Sequence, residues 1–154
     1  MDQTRRINPR LALAAGAILG VVACGGAAQA PTTSATEPAM QVMTQGKLHD
    51  VDGSATGVAE LVALRGGMYE VILDGFSIDS IAHTNVVLVS NADVTKTADV
   101  DKSKLLDLGA LTGTTGMQKY AIPADMAAAV MGGYHTVVIW DTEMAHAIAA
   151  APLK

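Results

Sequence analysis

The chain has 154 residues, half of them hydrophobic, with 3% aromatic and 16% charged side chains and a formal net charge of −5. An acidic balance of this kind excludes an electrostatic footprint for nucleic acid or for anionic lipid. A single cysteine, Cys24, excludes an internal disulfide framework and a multi-thiolate metal site.

Arg5, Arg6 and Arg10 precede an apolar run of 13 residues, 11–23. The run is too short for a membrane-spanning helix, which needs about 20 residues. A basic start, a short apolar segment and a small-residue boundary mark a secretory signal peptide. Val21-Val22-Ala23-Cys24 resembles the bacterial lipobox. The resemblance implies that the Cys24 sulfur is acylated and the chain cut before it, with 1–23 as signal peptide. Cleavage would remove three of the ten basic and one of the fifteen acidic residues, leaving a net charge of −7. The membrane would then be held through lipid rather than a basic patch, since more than one acyl chain gives stable attachment. Gly25 follows Cys24, with no aspartate to signal inner-membrane retention. That resembles an outer-membrane lipoprotein facing the periplasm where there are two membranes, and a cell-surface one where there is a single membrane.

Residues 24–43 read as a flexible tether. Small residues, hydroxyls, Pro31 and Pro38 replace apolar periodicity, and a coil of about 20 residues spans roughly 25 Å root-mean-square. Residues 44–154 form the folded unit, large enough to bury a core. The expected class is mainly β, an antiparallel sandwich or small barrel with one short helix.

Segments 58–64 and 68–73 read as a hairpin about Gly66-Gly67. The continuous apolar run 86–90 reads as a central strand. Segments 105–108 and 118–122 flank a turn, Gly113-Thr-Thr-Gly116. A helix is expected with Pro123 at its start, Asp125 in its first turn, Ala127 to Ala129 inside and Gly132-Gly133 after its end. The β-branched segment 136–140 is the clearest strand, and 144–149 is the expected closing strand.

The familiar motifs are incomplete. Gly113 to Gly116 lacks the Lys-Ser/Thr of a phosphate loop, so it reads as a turn. Asp50-Val-Asp52-Gly53-Ser54 and Asp99-Val-Asp101-Lys102-Ser103 open like calcium loops, but their twelfth positions are Leu61 and Ala110. They read as solvated Asx turns. No Gly-x-Ser-x-Gly or His-Glu-x-x-His is present. His49, His83, His135 and His146 are scattered and read as surface or hydrogen-bonded residues. Met40 and Met43 could bind copper(I) weakly through their thioethers; the plainer reading is that most methionines fill gaps in an aromatic-poor core.

The longest signal is 106–125, with Leu108-Gly109, Leu111, Gly113, Gly116, Gln118, Tyr120 and Ile122-Pro123. It is followed by an apolar strand ending at Trp140 and by Ala151-Pro152-Leu153. This resembles the electron-transfer DM-thirteen domain family. Upstream, Gly46, His49 and Gly57 resemble its opening, and Leu73-Asp-Gly-Phe76 its early Asp-Phe strand. The resemblance implies an electron-transfer or haem-linked role centred on a cysteine directly after the tryptophan. Here that position is Asp141, and the family's Gly-Pro-Asp segment corresponds to Ala82-His83-Thr84-Asn85. Asp cannot supply a thiolate.

On a regular strand Asp141 shares a face with Val137 and Ile139, which makes it a partly buried carboxylate in need of a partner. His146 is the candidate, on a face with Met144 and Ile148. The pair reads either as structural or as a ligand site of Asp141, His146 and Met144. The functional expectation is a lipid-anchored, non-enzymatic binding or accessory domain of the cell envelope, bound to the membrane through lipid on Cys24, with a protein partner there left open and no nucleic acid. The alternatives are an electron-transfer or haem protein, and periplasmic copper handling. Haem or copper would have to bind without a cysteine ligand.

Overall fold

A computed structural model describes residues 40–154. The expected signal peptide, Cys24 and residues 25–39 of the expected tether lie outside the described residues. The order of elements is β1 (Gln41–Lys47), β2 (His49–Asp50), β3 (Ala55–Ala63), β4 (Tyr69–Ile78), β5 (Thr84–Val89), β6 (Leu106–Ala110), β7 (Thr115–Ile122), α1 (Ala127–Gly133), β8 (Thr136–Asp141) and β9 (His146–Pro152). They form a sandwich-like pair of antiparallel sheets, β1-β3-β4-β7 and β2-β9-β8-β5-β6. The sandwich, not the closed barrel, is therefore the outcome.

Period-two alternation builds the core. Leu61 of β3, Val71 and Leu73 of β4, and Tyr120 and Ile122 of β7 meet Val86 and Leu88 of β5, Val137 and Ile139 of β8, and Ala149 and Ala151 of β9. Val87, Val89, Val138 and Trp140 point from the opposite face of the second sheet. That face is covered too, because the connection 90–105 lays Val94 and Val100 across it. Cover on both faces explains why 86–89 and 137–140 are apolar without alternation. β5 lies between β8 and β6, as a central strand should.

Polar ties hold this connection down. The Thr136 hydroxyl donates to the Asn91 carbonyl at 2.7 Å. The Thr97 hydroxyl donates to the Asp52 carboxylate and accepts from the Ala147 amide at 2.7 Å. His49 Nε2 meets Asp93 Oδ1 at 2.9 Å. The chain changes sheets between β1 and β2. There the backbones of Gln45 and Lys154 exchange two hydrogen bonds, of 3.2 and 3.0 Å, which hook the first sheet onto the end of the second.

The structure moves several expected boundaries. β1 begins at Gln41, so Gln41 to Met43 are strand rather than tether. α1 starts four residues after Pro123. Pro123 and Asp125 lie in the preceding turn, where the Pro123 carbonyl accepts from the Met126 amide at 2.9 Å. Gly132 and Gly133 are the last two residues of the helix, not its successors. β9 begins at His146, because Met144 and Ala145 are used in the turn and Ala145 has a φ of 54°. The strands on either side of Gly113 to Gly116 join different sheets, so that turn carries the chain from one layer to the other.

Candidate functional site

The residues singled out in the sequence fall into three places. The first is internal. Gln118 is 5% exposed and faces the core. Its Oε1 accepts from the Thr112 amide at 2.9 Å, the Thr112 hydroxyl at 3.0 Å and the Tyr120 hydroxyl at 2.7 Å. Its Nε2 donates to the Gly113 carbonyl at 2.7 Å. The carboxamide thus clamps the turn between the two sheets, and burial pushes the Tyr120 phenol above its ordinary pKa. Gly116 has a φ of +96° and pairs with Phe76 next to a break in register. Gln118 and Tyr120 are buried and tie the turn to the core, while Gly113, Gly116 and Pro123 serve the backbone of the turns and carry no reactive group.

The second place is the covered outer face of the second sheet. Trp140 is 5% exposed there, with the Lys102 ammonium 5.5 Å from its ring centroid. His49 stands at the rim, bound to Asp93. Burial opposes protonation of the His49 imidazole, but the Asp93 hydrogen bond, the Asp50 carbonyl and both carboxylate charges raise its pKa above the ordinary 6.5. Burial likewise opposes ionisation of Asp93, while His49 and the Val94 amide hold its carboxyl below 3.8. The raised histidine stabilises the fold below about pH 6.5 and loses that effect as pH rises through its folded value. The lowered aspartate stabilises above about pH 3.8 and loses its effect as pH falls. The tie is therefore strongest between those limits. Amide exchange at Val94, corrected for intrinsic rate, should be slower at pH 5.5 than at pH 8, and His49→Gln should remove the difference. An unchanged pH dependence in His49→Gln would refute the tie.

The third place is the tip of the β8–β9 hairpin. Asp141 and His146 are register partners. Among the described residues, however, no hydrogen bond or ion pair joins their side chains. Asp141 Oδ1 accepts instead from the Met144 amide at 2.7 Å and the Glu143 amide at 2.8 Å. The Met144 bond foremost, against a smaller opposing effect of burial, holds the carboxyl below its ordinary pKa, helped by Glu143 and the nearby histidines. The expected partly buried carboxylate thus finds its partners in the turn backbone. Ile148 is left unpaired by a shift of register between Ile139 and Trp140, and this bulge, with Met144 in the turn, removes the face that His146, Met144 and Ile148 were expected to share.

Asp141 and Met144 line an open cleft of about 500 Å³, together with His83, Thr84, Glu143 and Ile148. His146 is not among its lining residues. Sequence reasoning read His83 as a surface or hydrogen-bonded residue and did not single out Glu143; their Nε2 and Oε2 lie 3.3 Å apart. His83 holds a φ of 55°, and its carbonyl accepts from the Thr142 amide at 2.7 Å and the Thr142 hydroxyl at 2.8 Å. The departure of Ala82 to Asn85 from the family segment was the one sequence signal for this loop.

A cysteine-linked redox group does not fit these residues. Asp141 offers no thiolate, and its Oδ1 is spent on two amides. Among the described residues no three His, Cys, Asp or Glu side chains converge as metal ligands. Met40 and Met43 lie on or beside β1 and are exposed, far from the cleft along the strand direction.

A family model described as Electron transfer DM13 matches residues 43–153. No curated protein and no solved structure gives a match.

Proposed function

Because the chain belongs to the electron-transfer DM13 family, and because Asp141 stands where that family's cysteine is expected, we propose that it is a non-enzymatic binding or accessory module of the cell envelope, anchored by lipid on Cys24. The observation that carries this reading is the Asp141 carboxylate, which closes the hairpin turn through the Glu143 and Met144 amides. A residue in that role positions a loop and has no redox couple of its own. The basic start, the apolar run and the Val21-Val22-Ala23-Cys24 boundary support the anchor.

The direction of β4 supports a presenting role. It runs from Tyr69, beside the Met40 end of the domain, through ten residues to Ile78, on the side of the cleft. At about 3.3 Å per residue that is roughly 30 Å. A domain tethered through Met40 carries its cleft at the far end, open to a protein or small-molecule partner in the envelope.

The test uses the whole chain produced in a bacterium. Fatty acid should be incorporated into the wild type and not into Cys24→Ala, which should leave the membrane fraction. The purified protein should be colourless, free of stoichiometric metal and silent in a redox titration. A visible band with a reversible redox change would instead establish electron transfer through His or Met ligands, and stoichiometric copper would establish metal handling.

A further inference from the structure

The structure assigns a second surface, at the end of the sandwich opposite the cleft. Among the described residues the exposed large hydrophobics include Met40 (48% exposed), Val42 (49%), Met43 (41%) and Met68 (57%). Register brings these four together. Gln41 pairs with Ala63 and Ala63 with Tyr69, while the Leu64 amide donates to the Met68 carbonyl at 2.8 Å. Met40, Leu64 and Met68 therefore form the last row across β1, β3 and β4, and Val42 pairs with Val62 one row in. Leu61 and Val71 face the core, so by alternation Val42 and Val62 lie on the outer face. A break in register between Val42 and Thr44 leaves Met43 unpaired. Arg65, exposed at the hairpin tip between Leu64 and Met68, adds a cation on a long stem that reaches phosphate.

We propose that this Met40 end rests on the lipid leaflet that holds the Cys24 acyl chains. The proposal depends on the lipid anchor proposed above. Fifteen residues, 25–39, separate Cys24 from Met40, and even a fully extended chain of that length reaches no more than about 50 Å. The patch is thus the part of the domain held nearest the headgroups, where a weak apolar contact becomes effectively intramolecular. Four partly exposed side chains fall well short of the roughly 1,200 Å² that a stable protein interface buries, which favours the leaflet over a second copy. The acidic net charge gives the surface no pull of its own, so contact rests on the thioethers, Val42 and the single guanidinium.

With Cys24 acylated, an introduced cysteine is the sole free thiol, so Met68→Cys and Met144→Cys each accept one nitroxide label. The lipidated full chain is reconstituted into vesicles of phosphatidylethanolamine and phosphatidylglycerol. The label at position 68 should show a severalfold higher ratio of oxygen to water-soluble nickel collisions than the label at position 144. Equal, water-like ratios in protein that floats with the vesicles would overturn the surface and leave the anchor standing. Protein that does not float, and carries a second reactive thiol, would overturn the anchor and the surface with it. Close dipolar coupling between labels at position 68 would assign the patch to a second copy instead.

Discussion

Gly46→Ala should lower the melting temperature of the domain by on the order of 10 °C, the largest effect expected of any single methyl group here. A β-carbon at Gly46 would sit 2.1 Å from the Pro152 carbonyl oxygen and 2.7 Å from its carbon. Both are backbone atoms, so no rotamer change relieves the clash. The strand can escape only by parting from the C-terminal segment, which breaks the paired bonds between Gln45 and Lys154. Overpacking costs about 1–3 kcal/mol and occasionally more, the upper end applying where both clashing atoms are backbone, and about 1 kcal/mol moves the midpoint of a domain this size by roughly 4 °C. Gly132→Ala provides the opposite sign. Gly132 lies inside α1 with open space around its missing β-carbon, so alanine should stabilise by up to about 1 kcal/mol. Thermal melts followed by circular dichroism would decide both; equal, small effects would remove the argument that β1 is locked against β9.

Gln118→Leu should cost about 3 kcal/mol, although the two side chains are similar in size. The leucine would leave the buried Tyr120 hydroxyl and the Gly113 carbonyl without the partners they have at 2.7 Å. Each orphaned buried polar group costs about 1–3 kcal/mol. Tyr120→Phe added to Gln118→Leu should recover part of the loss, since it removes one of the orphans, and denaturant titrations of the two single variants and the double would measure the coupling. Strict additivity would mean that the two side chains do not act as a unit. The prediction bears on function, because it sorts the family's most recognisable positions. In this chain Gln118, Tyr120 and Gly113 hold the turn between the sheets, a role that needs no electron transfer. Their presence therefore lends no redox role to Asp141.

The strands with strong local signals were legible: 58–64 and 68–73 about Gly66-Gly67, the run 86–90 and the segment 136–140, each within three residues of its observed ends save that β4 runs on to Ile78. Their β-branched and alternating residues suit a pleated, buried surface in any setting. β1 was not. Gln41–Lys47 is largely polar and carries a glycine, and it is a strand because β3 offers an unpaired edge on one side and Pro152 and Lys154 lie close on the other. The candidate site was legible in part. Asp141 and Met144 do line a cleft, but the expectation of a shared strand face with His146 assumed unbroken alternation, and the turn at Ala145 and the bulge at Ile148 break it.

The sequence by itself determined the class of fold and the family, and that an aspartate, Asp141, follows Trp140, because these rest on residue types and short spacings that need no partner. Only the tertiary structure decided what Asp141 does and what it stands beside. His83 and Glu143 are sixty residues apart in the chain and meet because β5 and β8 pair across Thr84 and Asp141. The pairing of β1, β3 and β4 likewise places Met40, Met43 and Met68 at the end of β4 away from the cleft. Such placements follow from which strands exchange hydrogen bonds and in what register, a choice made by the whole core and written in no single segment.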